Sequence, residues 1–433
     1  MTTQSNPGPG EPRASGSAPR APQRDYPGGV TLVRRRETRG EAGRTRSFAE
    51  IEAWLLDAAV AADDLLVLFQ SFAWRLCDAG LPLDRATLHV GTLHPQLAGF
   101  AWIWSRLDRL CDEVQVSRGL METDSFRLSP MYEVVEGGRR FHAFMSDRTL
   151  VARYPLLQTL AADGYREYLA LPLNAGGYYN AATVATAHGF DAEEIVGLER
   201  LFRLFALHVE RHIVQRIASN VLDTYLGSAA GAKVLTGSIE RGTGEAIRAV
   251  IWVSDLRGFT DLSNRLSGPE VTVLLNAYFQ CLVGAIEASG GQVLKFIGDG
   301  LLAVFPFEGD EEAGKAAEAA LTAAEQSLTA LEILNRAPPP VVAAISGWRP
   351  LRNGIALHEG EVFFGNVGSP GRLDFTVIGR AVNEAARVEA LSKSLDRSLL
   401  ITAPVAARLD RPLVALGAQP LRGLAESLEV FGL

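Results

Sequence analysis

Two apolar runs, Gln292–Ile297 and Leu301–Phe305, are separated only by Gly298-Asp299-Gly300. Glycine takes the positive φ that tight hairpin turns demand, so this spacing is a hairpin signal. The two runs must then pair antiparallel, and every other element has to be arranged around that pair. Upstream, Arg248 to Val253 reads as a buried strand ending at Asp255. Gly258-Phe259-Thr260 turns into a helix, and Pro269 suits the first position of a second one. That second helix has a core stripe of Leu274, Leu275, Tyr278, Phe279, Leu282 and Ile286, and Gly290-Gly291 ends it. Downstream come an Ala/Glu/Leu helix over about 311–335 and a Pro-rich loop. A strand pair around His358-Glu-Gly-Glu361, a strand Asp374–Ile378 and a helix across 381–394 follow. Leu399 to Thr402, a short helix and Leu428 to Phe431 close the chain. The order β-α-β-β-α-β with appended elements predicts an α+β, ferredoxin-like sandwich, a fold that by itself implies no function.

At 433 residues the chain has room for a second domain and a tail. Residues 1–46 are rich in Pro, Gly, Ser and Arg and predict a disordered tail, with Arg34-Arg35-Arg36 solvated. Residues 47–220 mix helix, over 48–79, with strands at Ala86–Val90, Gly99–Trp104, Tyr168–Leu173 and Tyr178–Thr186. This predicts an antiparallel sheet flanked by helices. A long helix opens at Asp191, with Glu194 as its capping-box partner, and runs towards Tyr225. Its stripe at 198, 202, 205 and 209 is expected to pair with its copy in a dimer; intradomain core is the alternative. His208 and His212, four apart, could share a metal, but no third ligand is apparent nearby and packing histidines are expected. Leu93-His94-Pro95 with Trp102 and Trp104 could line a small-molecule pocket or form core and turn. Residues 221–244 read as a helical linker, and 245–433 as the domain built on the hairpin.

The net charge of −8 argues against a general nucleic-acid binder. Three scattered cysteines, Cys77, Cys111 and Cys281, make no disulfide framework and fit a reducing cytoplasm. The N-terminus lacks signal-peptide features, and no run approaches the ~20 apolar residues of a membrane span.

Asp255 and Asp299 carry the chemistry. Each follows an apolar strand and adjoins glycine-rich backbone. Singly, a helix cap and a turn residue would explain them. Brought together they would hold divalent cations, while free N–H groups meet phosphate. Asn383 and Arg387, four apart, share one helix face. Lys295 is the one charge in an otherwise apolar strand.

Three segments now resemble a family: Trp252-Val-Ser-Asp-Leu-Arg-Gly-Phe-Thr260, Lys295-Phe-Ile-Gly-Asp-Gly300 and Asp374-Phe-Thr-Val-Ile-Gly-Arg-Ala-Val-Asn-Glu-Ala-Ala-Arg387. They look like the signature segments of class III nucleotidyl cyclases, over about 245–433. Tyr225-Leu-Gly227 and Arg241-Gly-Thr-Gly-Glu245 are similar to the linker before the catalytic domain in bacterial adenylate cyclases. Residues 47–220 resemble the GAF-like sensory part of such proteins. The resemblance implies that Asp255 and Asp299 hold two Mg²⁺ or Mn²⁺ ions, with the carbonyl of Leu256 as a further ligand. The amides of Arg257 to Thr260, including Gly258 and Phe259, would cradle the triphosphate. Asn383 would orient the ribose and Arg387 would stabilise charge on the α-phosphate, both supplied by the partner subunit of a head-to-tail homodimer. Lys295 would donate to adenine N1 and the Thr376 hydroxyl would accept from the exocyclic amine. The family's guanylate cyclases have Glu and Cys at those two places. Arg422 stands roughly where the family has a phosphate-binding Lys. Thr at 376 is similar to a subgroup that includes bicarbonate-responsive enzymes. The implied activity is ATP to cyclic AMP and pyrophosphate, in the cytoplasm, under control of an unknown ligand of residues 47–220. The alternatives are a cyclase-like domain that only binds nucleotide and a diguanylate cyclase, whose hairpin would read differently.

Overall fold

The computed structural model describes residues 24–38, 47–173, 180–421 and 427–433. Arg422 lies outside them. Two compact units divide at Val221 and Leu222.

The N-terminal unit is one antiparallel sheet of β1 (Val30–Glu37), β2 (Arg85–Gly91), β3 (Leu97–Ser105), β4 (Leu110–Ser117), β5 (Phe141–Phe144), β6 (Glu167–Pro172) and β7 (Asn180–Thr186). Its order is β1-β4-β3-β2-β7-β6-β5. Strand alternation gives it one face of large apolar side chains, among them Leu88, Trp102, Trp104 and Val184. The helices Phe48–Leu56, Leu65–Asp78 and Ala192–Leu226 bring Ile51, Phe69, Phe72, Leu198, Phe202 and Phe205 to the same core. Phe72 stacks on Phe205 with centroids 4.5 Å apart.

Several expectations change here. Part of the composition-read disordered tail is β1, paired with β4. Arg34 stays exposed but is paired, bonding Glu113 at 2.6 Å and Asp64 at 2.5 Å, and Arg35 bonds Asp112 at 2.8 Å. Counter-charges on β4 draw in a segment that composition alone reads as unstructured. The helix read over 48–79 is two helices, because the Asp64 carboxylate caps a fresh start by accepting from the amides of Leu66 and Val67. The long helix opens with the predicted box: Asp191 and Glu194 each accept the other's amide at 2.8 Å. Its 198/202/205/209 stripe is intradomain core rather than a dimer seam. The exposed apolar residues on that helix are instead Val196, Leu207, Val214, Val221 and Tyr225. His208 donates Nε2–H to the Leu55 carbonyl at 2.7 Å, and burial lowers the pKa of both His208 and His212, so both are packing residues. Trp102 and Trp104 are core, and His94 Nδ1 accepts from the Gln96 and Leu97 amides in a turn.

The C-terminal unit holds β8 (Gly244–Leu256), β9 (Gln292–Ile297), β10 (Gly300–Phe307), β11 (Asn353–Ser369), β12 (Arg372–Ile378), β13 (Leu399–Thr402), β14 (Val414–Gln419) and β15 (Leu428–Gly432). The order β11-β8-β10-β9, with crossover helices Gly268–Ala288 and Gly309–Arg336, is the predicted ferredoxin-like arrangement. β13, β15 and β14 extend it beyond β11, and β12 folds back on β11. The strand pair expected at His358 is one continuous strand of 17 residues. Gly360 suggests a turn, but its role is contact: a Cβ there would stand 2.4 Å from Ala381 Cβ on the helix Arg380–Ser394. Glycine lets that helix lie against the strand. By length and composition alone, the helix Gly268–Ala288 is long and apolar enough to cross a membrane. Its Leu274, Tyr278, Leu282 and Ile286 are buried in the C-terminal core.

Candidate active site

β8 runs through the middle of the sheet, between β10 and β11, and its last turn of backbone presents Asp255 to solvent. The β9–β10 hairpin ends in Gly298, at φ +64°, and Asp299. Because β10 pairs with β8, the hairpin tip arrives beside Asp255. Gly300 shows how close the approach is: a Cβ there would lie 2.8 Å from the Ser254 carbonyl and 3.3 Å from Asp255 Oδ1. Burial, the charge of Asp299 and a hydrogen bond with the Asp299 carboxyl push the Asp255 carboxyl up to about 6. The Leu256 amide, bonded to Asp255, opposes that shift. Two carboxylates in mutual repulsion, with no Lys or Arg among the groups acting on Asp255, form a donor set that a hard divalent cation would relieve. No third His, Cys, Asp or Glu completes a metal-ligand cluster among the described residues.

After the strand, Gly258 takes φ +75° and starts the helix Phe259–Ser263. First-turn amides of a helix have no intrahelical acceptor, so those of Phe259 and Thr260 are free to meet phosphate oxygens. The Arg257 amide does not join them: it donates to the Arg352 carbonyl at 2.8 Å, which narrows the expected cradle. The Arg257 side chain reaches the far end of the helix Arg380–Ser394. It donates to the Ser392 carbonyl at 2.7 Å and to the Arg397 carbonyl, and lies 3.5 Å from Asp396. Leu256 anchors the loop, its side chain buried in the core.

Lys295 and Thr376 converge from β9 and β12. Lys295 Nζ donates to Asp374 Oδ2 at 2.5 Å, and Asp374 shares a strand face with Thr376 two residues on. Thr376 is buried and its hydroxyl has no partner among the described residues. Asp374 escaped the sequence reading, though its offset of two from Thr376 on a strand was the available signal.

Asn383 and Arg387 stand a turn apart on the helix Arg380–Ser394, Asn383 exposed and Arg387 half-buried. No hydrogen bond or ion pair engages either one among the described residues, and Arg387 is not among the charges that act on Asp255. One chain therefore brings together the two carboxylates, and separately Lys295 with the strand that carries Thr376, while no hydrogen bond or ion pair joins Arg387 to either carboxylate among the described residues. The same helix delivers a residue that the sequence reading missed. The Glu389 carboxyl is pushed up to about 7 by burial and by the charge of Asp255. Its Oε1 accepts from Ser392 Oγ at 3.2 Å, over Gly354, where a Cβ would collide with both side chains. Gly354 is the register partner of Asp255 on β11, so a third carboxyl borders the site.

Residues 245–425 match the family model described as the adenylate and guanylate cyclase catalytic domain. An adenylate cyclase of Anabaena cylindrica is 35% identical over 175 residues, which is 40% of this chain and 33% of the relative. The chain thus spans about a third of that relative's length. Among solved structures, the adenylyl cyclase CyaB from P. aeruginosa is similar at 26% identity, covering 44% of this chain and 95% of that one, with a TM-score of 0.39. The guanylyl cyclase Cya2 is similar at 29% identity over 44% of this chain and 92% of that one, with a TM-score of 0.37.

Proposed function

Because residues 245–425 belong to the family of adenylate and guanylate cyclase catalytic domains, we propose that this protein converts ATP to 3′,5′-cyclic AMP and pyrophosphate. The meeting of Asp255 and Asp299 at one strand end carries the proposal, since that donor set fits divalent cations. Two Mg²⁺ or Mn²⁺ ions held there, with the Leu256 carbonyl, would acidify the ribose 3′-hydroxyl and neutralise the leaving pyrophosphate.

The chain's own residues do the rest. The amides of Phe259 and Thr260 after Gly258 hold phosphate oxygens at a helix start. Lys295 donates to adenine N1 and the unpartnered Thr376 hydroxyl accepts from the exocyclic amine. Guanine would set an N1–H donor against the Lys295 ammonium and a carbonyl oxygen where adenine has its amine, which favours adenine. Asp374 holds Lys295 in place for that contact. Asn383 orients the ribose, and Arg387 offsets charge growing on the α-phosphate, worth several kcal/mol in a water-poor site.

That no hydrogen bond or ion pair joins Arg387 to Asp255 or Asp299 among the described residues supports a homodimer with two shared sites. Leu207, Val214 and Val221 recur every seven residues on the exposed side of their helix, as a seam between two copies would. Residues 47–220 are the regulatory part, and the cytoplasm is the proposed location. Arg422 remains a proposed phosphate contact.

The test is direct. Purified protein with ATP and Mn²⁺ should form cyclic AMP, and Asp255→Ala should abolish it. Equal product from the two proteins would end the proposal. Cyclic GMP from GTP at a comparable rate would keep the site and overturn the base assignment.

A further inference from the structure

The helix Arg380–Ser394, which carries Asn383 and Arg387, meets the sheet mostly through small side chains. Gly354, Ala356 and Gly360 share one face of β11. Gly354 abuts Ser392, Ala356 clusters with Val388, and Gly360 abuts Ala381, all three partners lying on that helix. Such a contact packs closely but has little relief. It does little to stop the helix sliding or turning on the sheet.

One polar link crosses that contact. His358 stands on the same strand face, between Ala356 and Gly360, and is 4% exposed. Its Nε2–H donates to Glu384 Oε2 on the helix at 3.2 Å, and its Nδ1 lies 3.0 Å from Thr402 Oγ1 on β13. Glu384 is 8% exposed, and its Oε1 accepts from Arg380 Nε at 2.7 Å, one turn back. The line runs from the sheet through the imidazole into the helix, with both ring nitrogens and both carboxylate oxygens engaged. A buried pair of this kind adds little stability, since an apolar pair of similar volume often does as well. What it supplies is registry. Hydrogen bonds fail beyond about 3.5 Å, so Glu384 reaches His358 only with the helix at one height and one rotation. Asn383 is the residue before Glu384, and Arg387 lies three after it.

We propose that His358 is a positioning residue: through Glu384 it sets the register of this helix on the sheet, and so the place where Asn383 and Arg387 meet the nucleotide. Its effect on rate rests on the cyclase reading. Its effect on the helix rests on the geometry alone.

Substitutions in the full chain separate the helix contact from the sheet contact. A glutamine places its amide nitrogen near where Nε2 stands, and an asparagine near where Nδ1 stands. His358→Gln thus keeps a donor for Glu384, whereas His358→Asn keeps only the Thr402 side. The Asn variant should lose about tenfold or more in kcat with a smaller change in KM for ATP, as a displacement of about 1 Å would cause. The Gln variant should stay within about threefold of wild type, the conservative rescue of a lost contact. Hydrogen–deuterium exchange over residues 380–394 reads the same contrast without catalysis. The Asn variant should exchange faster there, and the Gln variant like wild type. The apolar double variant, His358→Leu with Glu384→Leu, should melt no lower than wild type and still lose about tenfold or more in kcat. Equal rates in the Asn and Gln variants, beside an active wild type, overturn the proposal. An inactive wild type ends the cyclase reading instead, and equal exchange in the two variants then overturns the register pin on its own. Should the Asn variant fail to fold, the double variant decides: wild-type kcat, or stability lost together with rate, overturns it.

Discussion

Asp255 ties stability and function in opposite directions. A carboxyl whose pKa is about 6 in the folded chain and near 4 when unfolded holds its proton more tightly in the native state. It adds stability below pH ~4 and loses that contribution as pH rises through about 6. Metal-free protein should therefore melt lower at pH 8 than this group alone would allow at pH 4. Asp255→Asn should raise the pH 8 melting temperature by about 2–4 °C, from ~1 kcal/mol after solvent screening, with little change at pH 4. Mn²⁺ should raise the wild-type value and not that of the variant. An Asn variant that melts lower at pH 8 would show that the two carboxylates are not in conflict. Lys295 gives a second prediction at this scale. Lys295→Glu should cut cyclic AMP formation more than tenfold by placing an acceptor where adenine offers another, read from initial rates with ATP. The sequence made these two residues legible because each breaks its local pattern: a charge in an apolar strand, an acid at a turn. Asp374 and Glu389 broke no pattern. They matter through partners 79 residues away, in the Lys295 bond, and across a helix–strand contact, and such proximity has no local signature.

At the scale of elements, periodicity found most strands and helices, and burial corrected the rest. Gly360 looked like a turn because glycine in a strand usually marks a break. Whether it breaks the strand or admits a neighbour depends on the helix packed against it. The same holds for the stripe of the helix Ala192–Leu226: the sequence shows a face that must be covered, and only the fold says by what. The helix Arg380–Ser394 yields a prediction of its own. Arg257 holds its C-terminal carbonyls and also sits two residues after Asp255. Arg257→Ala should lower kcat at least tenfold with a smaller change in KM for ATP, since it loosens the helix that carries Asn383 and Arg387. Arg257→Lys should recover only part, because a single ammonium cannot reach both carbonyls as the fork does. A variant that changes KM alone would place Arg257 in substrate binding.

For the whole molecule, the proposed homodimer with shared sites predicts complementation. Asp255→Ala and Arg387→Ala should each be inactive alone. Co-expressed and mixed at random, half of the dimers contain one of each, and one of their two sites is intact, so about a quarter of wild-type activity should return. Failure to recover any would show that the two residues serve one chain. Comparing the full chain with a 228–433 fragment, assayed for cyclic AMP and cyclic GMP, should show whether residues 47–220 restrain or promote the reaction. Charge balance, cysteine count and the order of elements in the second half were all readable without coordinates. The β1 strand was not, because its partners are acids on a strand 80 residues downstream.

In the proposed homodimer the Arg257 contact would make the fifteen-residue helix Arg380–Ser394 a lever with a foot in each site. One end is tied by Arg257 to the loop after Asp255, and the other would offer Asn383 and Arg387 to the neighbour. Occupancy of one site should then reach the second as mechanical strain. The complemented dimer, with one dead site, measures that communication by how far its rate departs from a quarter.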